Sequence, residues 1–197
     1  MIYSLKRLSN LMPSLTTNMF SQFPQALERA EKIKLLVLDV DGVLTNGSLF
    51  INEDGQEHFK QFNSLDGHGL KLLTSNGVEV AIITGRTSAM VSQRANSLNI
   101  NIVLMGVEHK LSALNSLVNS KNLTLAQVAV MGDDWPDLAM LKIAGLAIAP
   151  AQAHTEVRNA AHFIASKDGG EGAVREACDL LLMAQGHYQR LLMESLV

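Results

Sequence analysis

Asp39 and Asp41 stand two residues apart at the end of the apolar run Leu35–Leu38 and are followed at once by Gly42. Four consecutive apolar residues without helical spacing predict a strand buried on both faces. Side chains alternate along a strand, so carboxylates two positions apart can lean to one side of its end. Gly42 lets the backbone turn tightly there or brings its N–H close to a ligand. An Asp-Gly turn that merely closes a core strand is the structural alternative. Further along, Thr84 closes a second strand-like run, Lys110 opens a helical pattern after a third, and Asp133 and Asp134 close a fourth. At an effective dielectric of about 20, two carboxylates 4 Å apart repel by about 4 kcal/mol. Three gathered without compensation would be pushed toward protonation, and a divalent cation removes that problem. Hard oxygen ligands suit Mg²⁺.

The chemistry such a set can perform is phosphoryl transfer. One carboxylate attacks phosphorus, while the other protonates the departing alkoxide and later deprotonates the hydrolytic water. Thr84 and Lys110 offer a hydroxyl donor and a fixed positive charge to the phosphoryl oxygens. Taken singly, each has a plain structural reading: Thr84-Gly85 a helix-leading turn, Lys110 a solvated helix residue, Asp133-Asp134 a helix cap. Their shared placement at strand ends favours the chemical reading.

The elements that must position them alternate. A short helix over Gln25–Lys32 feeds the first strand. Two β-prone arms flank Asp54-Gly55, which predicts a hairpin. A helix then starts with Asp66 as N-cap and stops at Gly77. Strands are expected over Val78–Thr84, Asn101–Leu104, Gln127–Met131 and Gly145–Ala149. Helices are expected over Thr87–Leu98, Glu108–Ser120 and Trp135–Ile143. A short helix, a short strand around Phe163 and one long last helix follow. This order predicts an α/β fold with a doubly wound, mainly parallel, Rossmann-like sheet. In such a sheet all the strand ends share one edge, where ligands bind.

Of 197 residues, 47% are apolar and 18% charged, and the net charge is −3. No basic stripe is present to track phosphates, so a nucleic-acid partner is not expected. No run has the eighteen or so apolar residues of a membrane span, and a membrane partner is not expected either. The single cysteine, Cys178, precludes an internal disulfide framework and lies in an apolar helical pattern, where it reads as a core residue. Residues 1–24 contain no acid and no continuous apolar core of a secretory signal. They are read as a tail, or as a segment before a later start at Met12 or Met19. The domain is taken as 25–197 and a cytoplasmic location is expected.

Leu38–Thr45 (LDVDGVLT), Ile82–Arg86 (IITGR), a lone lysine and Gly132-Asp133-Asp134, in this order, resemble the haloacid dehalogenase-like phosphatase superfamily. Lys60-Gln61-Phe62, Asp66-Gly67-His68-Gly69, Gly132–Asp137 and Gly169–Glu176 are similar to its subfamily that acts on 3-deoxy-D-manno-octulosonate 8-phosphate, in the supply of a lipopolysaccharide sugar. The resemblance covers about residues 25–185. It implies a phosphoric monoester hydrolase with Asp39 as nucleophile and Asp41 as general acid/base. It also implies Mg²⁺ on the Asp39 carboxylate, the Asp41 main-chain carbonyl and Asp133. Thr84 and Lys110 would hold the phosphoryl group, with Asp134 and Asp137 behind them, Asp137 orienting Lys110. Gly42, Gly85, Arg86, Lys60, Gly170 and Arg175 are the expected substrate contacts. Glu171 departs from the basic residue that similar proteins often carry.

Asp41 and Thr84 are 43 positions apart and Lys110 and Asp133 are 23 apart, which leaves no room for a cap domain. A capless site needs another surface to close over a small substrate. The resemblance implies a homotetramer with the hairpin flap at an interface. The loop before the last helix, with Gly169, Gly170 and Gly172, is expected to meet the sugar end. The same chemistry on N-acylneuraminate 9-phosphate is one rival reading. A receiver-like signalling module is another, disfavoured because its adjacent acidic pair ends the first strand and its phospho-accepting Asp the third.

Overall fold

The computed structural model describes Phe20 and residues 23–196. Six strands form one parallel sheet: β1 (Leu35–Leu38), β4 (Glu79–Ile83), β5 (Ile102–Leu104), β6 (Val128–Met131), β7 (Leu146–Ala149) and β8 (Phe163–Ile164), in spatial order β5-β4-β1-β6-β7-β8. From β1 the chain winds outward through β4 and β5. It then crosses back to β6 on the other side of β1 and continues through β7 to β8. The strand order therefore reverses between β1 and β6, and the crevice at their carboxyl ends is where such sheets take ligands.

The apolar runs are buried on both faces because alternate residues serve different cores. Leu36 and Leu38 of β1 join Val80 and Ile82 of β4 and Ala129 and Met131 of β6 on one face. Leu35, Val37, Ala81, Ile83, Val128 and Val130 pack on the other. The first face is covered by α1 (Pro24–Ala30), α2 (Ser64–Thr74), α3 (Ala89–Ser97) and α7 (Ala173–Ala184). The second is covered by α4 (Lys110–Ser120), α5 (Leu138–Ile143) and α6 (Thr155–Ala160). Each fully buried Leu or Ile contributes about 1.5–3 kcal/mol through removal from water, so β1 is anchored from both sides. The expected doubly wound sheet is borne out, as is the core role of Cys178, which is fully buried in α7.

Between β1 and α2 the chain inserts a small antiparallel hairpin, β2 (Phe50–Ile51) and β3 (Glu57–Phe59). Its turn contains Asp54-Gly55 and is organised by Asn52, whose side-chain oxygen accepts from the amides of Asp54 and Gln56. Phe50 and Phe59 stack across it with ring centroids 4.1 Å apart.

Two local expectations are corrected. The cap of α2 is Asn63, whose Oδ1 accepts from the amides of Leu65 and Asp66. Asp66 lies inside the first turn instead, and its carboxylate accepts from the amide of Arg175 at 2.8 Å, capping α7 from outside. Gly172, which precedes α7, has no side chain to do so. The expected stop of α2 at Gly77 is borne out: Gly77 has φ +92°, its amide donates to Thr74 O and the Val78 amide donates to Leu73 O, the paired bonds of a Schellman motif. The long last helix is two helices, α7 and α8 (Tyr188–Glu194). The break is closed by His187 N–H to Leu182 O and Gly186 N–H to Met183 O, the paired bonds of a Schellman motif.

Most of the segment 1–24 lies outside the described residues. Phe20 and Phe23, set in the tail by the sequence reading, meet Phe163 edge-on with centroids 5.5 and 5.2 Å away. Such ring pairs add about 0.5–1.5 kcal/mol each beyond burial. No helix among the described residues is long and apolar enough to cross a membrane.

Candidate active site

Sheet hydrogen bonds carry past the ends of the strands and fix the polar residues that follow. The Asp39 amide donates to Met131 O, the Thr84 amide to Leu104 O and the Gly132 amide to Ile148 O. After Asp39 the chain curls around one carbonyl: Val40 O accepts from the amides of Val43, Leu44 and Thr45. This turn points the Asp41 side chain away from the sheet toward the hairpin. Gly42 has φ +89°, and a Cβ there would lie 2.0 Å from Asp133 Oδ2. Two neighbours support the turn from behind. Gln152 donates from its side chain to Gly42 O at 2.7 Å and accepts from the Gly169 amide at 2.8 Å, while the Gly170 amide donates to Val43 O.

Asp39, Asp41, Thr84, Gly85, Arg86, Lys110, Asp133, Asp134 and Asp137 line one open cleft of about 400 Å³ at this edge. Lys110, the first residue of α4, reaches Asp39 Oδ1 at 3.0 Å and Asp137 Oδ1 at 2.8 Å. The other oxygen of Asp137 accepts from the amides of Asp133 and Asp134. Asp137 thus orients Lys110 and ties it to the loop that carries Asp133. Burial pulls the Lys110 ammonium down, but Asp39 and Asp137 outweigh it and hold its pKa raised. Asp39 is pushed up to about 6 by burial and by Asp137, with Lys110 opposing. Asp133 is pushed up to about 7 by burial, Asp39, Asp137 and Asp134.

This is the signature of carboxylates arranged for a cation. One oxygen each from Asp39, Asp133 and Asp137 lies within 4.8 Å of the others. Both oxygens of Asp137 already have donors, which leaves Asp39 and Asp133 as the pair facing the gap. An all-oxygen donor set of this kind fits Mg²⁺.

Of the six expected substrate contacts, Gly85 and Arg86 line the cleft, Gly42 lies in the turn against Asp133, and three sit elsewhere. Lys60 is buried in a bridge between Asp41 and Glu57 and does not line the cleft. Gly170 lies behind the turn, against Val43 and Thr45. Arg175 donates to Asp179 at 2.8 Å and lines a different cavity of about 320 Å³ with His68, Tyr188 and Leu191. Within one chain it therefore does not share the cleft of Asp39. Sequence reasoning missed Glu57 and Gln152. Gln152 follows the end of β7, so the strand-end rule that located the others would have flagged it.

Known proteins resemble this chain in sequence and in fold. A family model for haloacid dehalogenase-like hydrolases matches residues 103–176. The 3-deoxy-D-manno-octulosonate 8-phosphate phosphatase of Salmonella typhimurium is 41% identical over 163 residues, 83% of this chain and 86% of that protein. The chain belongs to the haloacid dehalogenase-like phosphatases. Two solved members of that family overlay closely. A probable phosphatase of the yrbI family from Pseudomonas syringae has TM-score 0.86 at 47% identity, over 88% of this chain and 98% of that one. The 3-deoxy-D-manno-octulosonate 8-phosphate phosphatase of Moraxella catarrhalis, solved with magnesium, phosphate and the sugar acid, has TM-score 0.84 at 39% identity, over 86% and 97%. Between its first strand and α2 this chain inserts only the β2–β3 hairpin.

Proposed function

We propose that this chain is a Mg²⁺-dependent phosphatase that hydrolyses 3-deoxy-D-manno-octulosonate 8-phosphate to the free sugar acid and phosphate, in the supply of a lipopolysaccharide precursor. The observation that carries the chemistry is the buried Asp39, held 3.0 Å from the Lys110 ammonium and beside Asp133. The substrate is supported by the likeness to relatives of that name across four-fifths of the chain.

In this reading an Asp39 oxygen attacks phosphorus and the bond from phosphorus to the sugar oxygen breaks. That oxygen takes a proton from Asp41. Water then attacks the phosphorus of the aspartyl-phosphate, gives a proton back to Asp41, and the bond to Asp39 breaks. Lys110 and Thr84 stabilise the charge that develops on the phosphoryl oxygens. Mg²⁺, held by Asp39, the Asp41 carbonyl and Asp133, would neutralise the carboxylates and polarise the phosphoryl group. Asp134 and Asp137 keep Asp133 and Lys110 in place, while Gly42, Gly85 and Arg86 face the phosphate and the start of the sugar.

The domain acts without a cap, and we place it in the cytoplasm as a homotetramer. Leu49, Phe50, Ile51 and Phe59 are exposed on the hairpin, an apolar surface that supports assembly there. A neighbouring subunit is then the source from which Gly170 or Arg175 would contact sugar.

The test is phosphate release, as kcat/KM, across a panel of sugar acid phosphates and hexose phosphates with and without Mg²⁺. The eight-carbon substrate is expected to lead N-acylneuraminate 9-phosphate by tenfold or more, equal to about 1.4 kcal/mol. Failure to release phosphate from any sugar acid phosphate with Mg²⁺ present would overturn the assignment.

A further inference from the structure

A lysine buried at the base of a surface hairpin needs a reason to be there, because an ammonium taken out of water is costly unless it is paired. Lys60 follows β3 by one residue, and its side chain is 1% exposed. Its Nζ lies 2.5 Å from Asp41 Oδ1 and 2.7 Å from Glu57 Oε1. Arg86 stands on the opposite side, with Nε 3.6 Å from Asp41 Oδ2 and a second nitrogen 3.6 Å from Glu57 Oε1. Arg86 is half-exposed at the cleft, whereas Lys60 is outside it.

From this geometry we infer that Lys60, steadied by Glu57, is a positioning residue that sets the direction of the Asp41 carboxyl toward the leaving group. The inference rests on the reading of Asp41 as the acid/base of the proposed phosphatase. Lys60 engages Oδ1 and leaves Oδ2 as the oxygen on the cleft side, where a proton can pass to the sugar oxygen as its bond to phosphorus breaks. Lys60 and Glu57 together are neutral, so they give Asp41 a fixed orientation rather than a net positive charge. The hairpin is then part of the catalytic apparatus: moving β3 would move Lys60 and, with it, Asp41. Lys60 makes no contact with substrate in this account, so its loss acts on proton transfer and spares binding.

Substrates that differ in their need for a proton provide the test. An alkyl phosphate such as the sugar acid phosphate leaves as a strongly basic alkoxide unless protonated, whereas 4-nitrophenyl phosphate leaves as a stable phenolate. The ratio kcat/KM reports phosphoryl transfer to Asp39 and is blind to later hydrolysis of the aspartyl-phosphate. For Lys60→Met, kcat/KM on the sugar acid phosphate should fall about 100-fold, or about 2.7 kcal/mol, through kcat with KM nearly constant. The aryl phosphate should fall less than threefold. Asp41→Asn, measured alongside, should show the same selectivity with a larger loss. If Asp41→Asn did not discriminate between the substrates, the acid/base reading itself would fail. If Asp41→Asn discriminated but Lys60→Met lowered both substrates equally, or raised KM alone, the positioning role would be wrong. Should Lys60→Met not fold, Glu57→Gln decides the matter. It leaves Lys60 in place but loosened, and should lower the alkyl substrate selectively by about five- to tenfold; equal loss on both substrates, or none, would overturn the inference.

Discussion

Replacing Gly42 with alanine tests how tightly the nucleophile turn is fitted to the metal-side carboxylate. The new Cβ would lie 2.0 Å from Asp133 Oδ2, 2.4 Å from its Cγ and 2.9 Å from Oδ1. None of these distances is tenable, so the Asp133 carboxylate must swing by more than 1 Å to reach ordinary contact near 3.5 Å. In addition, φ of +89° is a conformation that costs an L-residue about 1–2 kcal/mol. The strain alone should lower Tm by about 2–8 °C in a chain of this size. The displacement acts on the cation. Disturbing residues behind a metal ligand costs about 10–100-fold in affinity, and moving the ligand itself should cost at least the upper figure, near 2.7 kcal/mol. Gly47→Ala is the control, because Gly47 has a similar φ of +80° but its Cβ would meet nothing closer than 3.6 Å. Activity is measured against Mg²⁺ concentration, and Tm by thermal unfolding, for both variants. Gly47→Ala should show the Tm loss with an unchanged Mg²⁺ requirement, and Gly42→Ala should show both. A folded Gly42→Ala protein with the wild-type Mg²⁺ requirement would refute the placement of Asp133 on the cation.

Four further outcomes follow from the same geometry. Asp39 and Asp133 stand at about 6 and about 7 without metal, above the ordinary 3.8, so protons compete with Mg²⁺ below pH 7. Apparent affinity should fall about fivefold from pH 7 to pH 6 for one competing proton held near 7, and calorimetry in buffers of different ionisation heat should detect proton release on binding. Raised carboxylates also stabilise the metal-free fold below the unfolded value and lose that contribution as pH rises through 6–7; metal-free Tm should therefore be higher at pH 5 than at pH 8, and saturating Mg²⁺ should reduce the difference. Lys110→Met removes the donor shared by Asp39 and Asp137, and steady-state kinetics should show turnover reduced by about 10²–10³-fold. Asp66→Ala removes the external cap of α7, and thermal unfolding should register about 1–2 kcal/mol of lost stability.

The strand-end residues were legible because each β-run is short, apolar and bounded by polar residues, so topology alone brings Asp39, Thr84, Lys110 and Asp133 to one edge. The hairpin was legible from Asp54-Gly55. The misreadings have a common cause, which is long-range competition for a group. Asp66 looks like a helix cap by local pattern, but Asn63 caps α2 and the amide of Arg175, more than a hundred residues away, claims its carboxylate. Nor does local pattern show that Lys60 and Arg175 are each paired with acids of their own chain, Lys60 with Asp41 and Glu57 and Arg175 with Asp179. The last helix reads as continuous because Gly186 is a tolerable helix residue by pattern, and only the hydrogen bonds of Gly186 and His187 end α7 there.

The central claim is covalent: the phosphoryl group passes through Asp39. Rapid quenching of the enzyme during turnover of the sugar acid phosphate, followed by borohydride reduction, converts an aspartyl-phosphate to homoserine that peptide mass spectrometry can locate. Homoserine is expected at position 39, dependent on Mg²⁺ and on substrate. Its appearance at position 41, or its absence from enzyme caught in rapid turnover with the intermediate kinetically populated, would contradict the account.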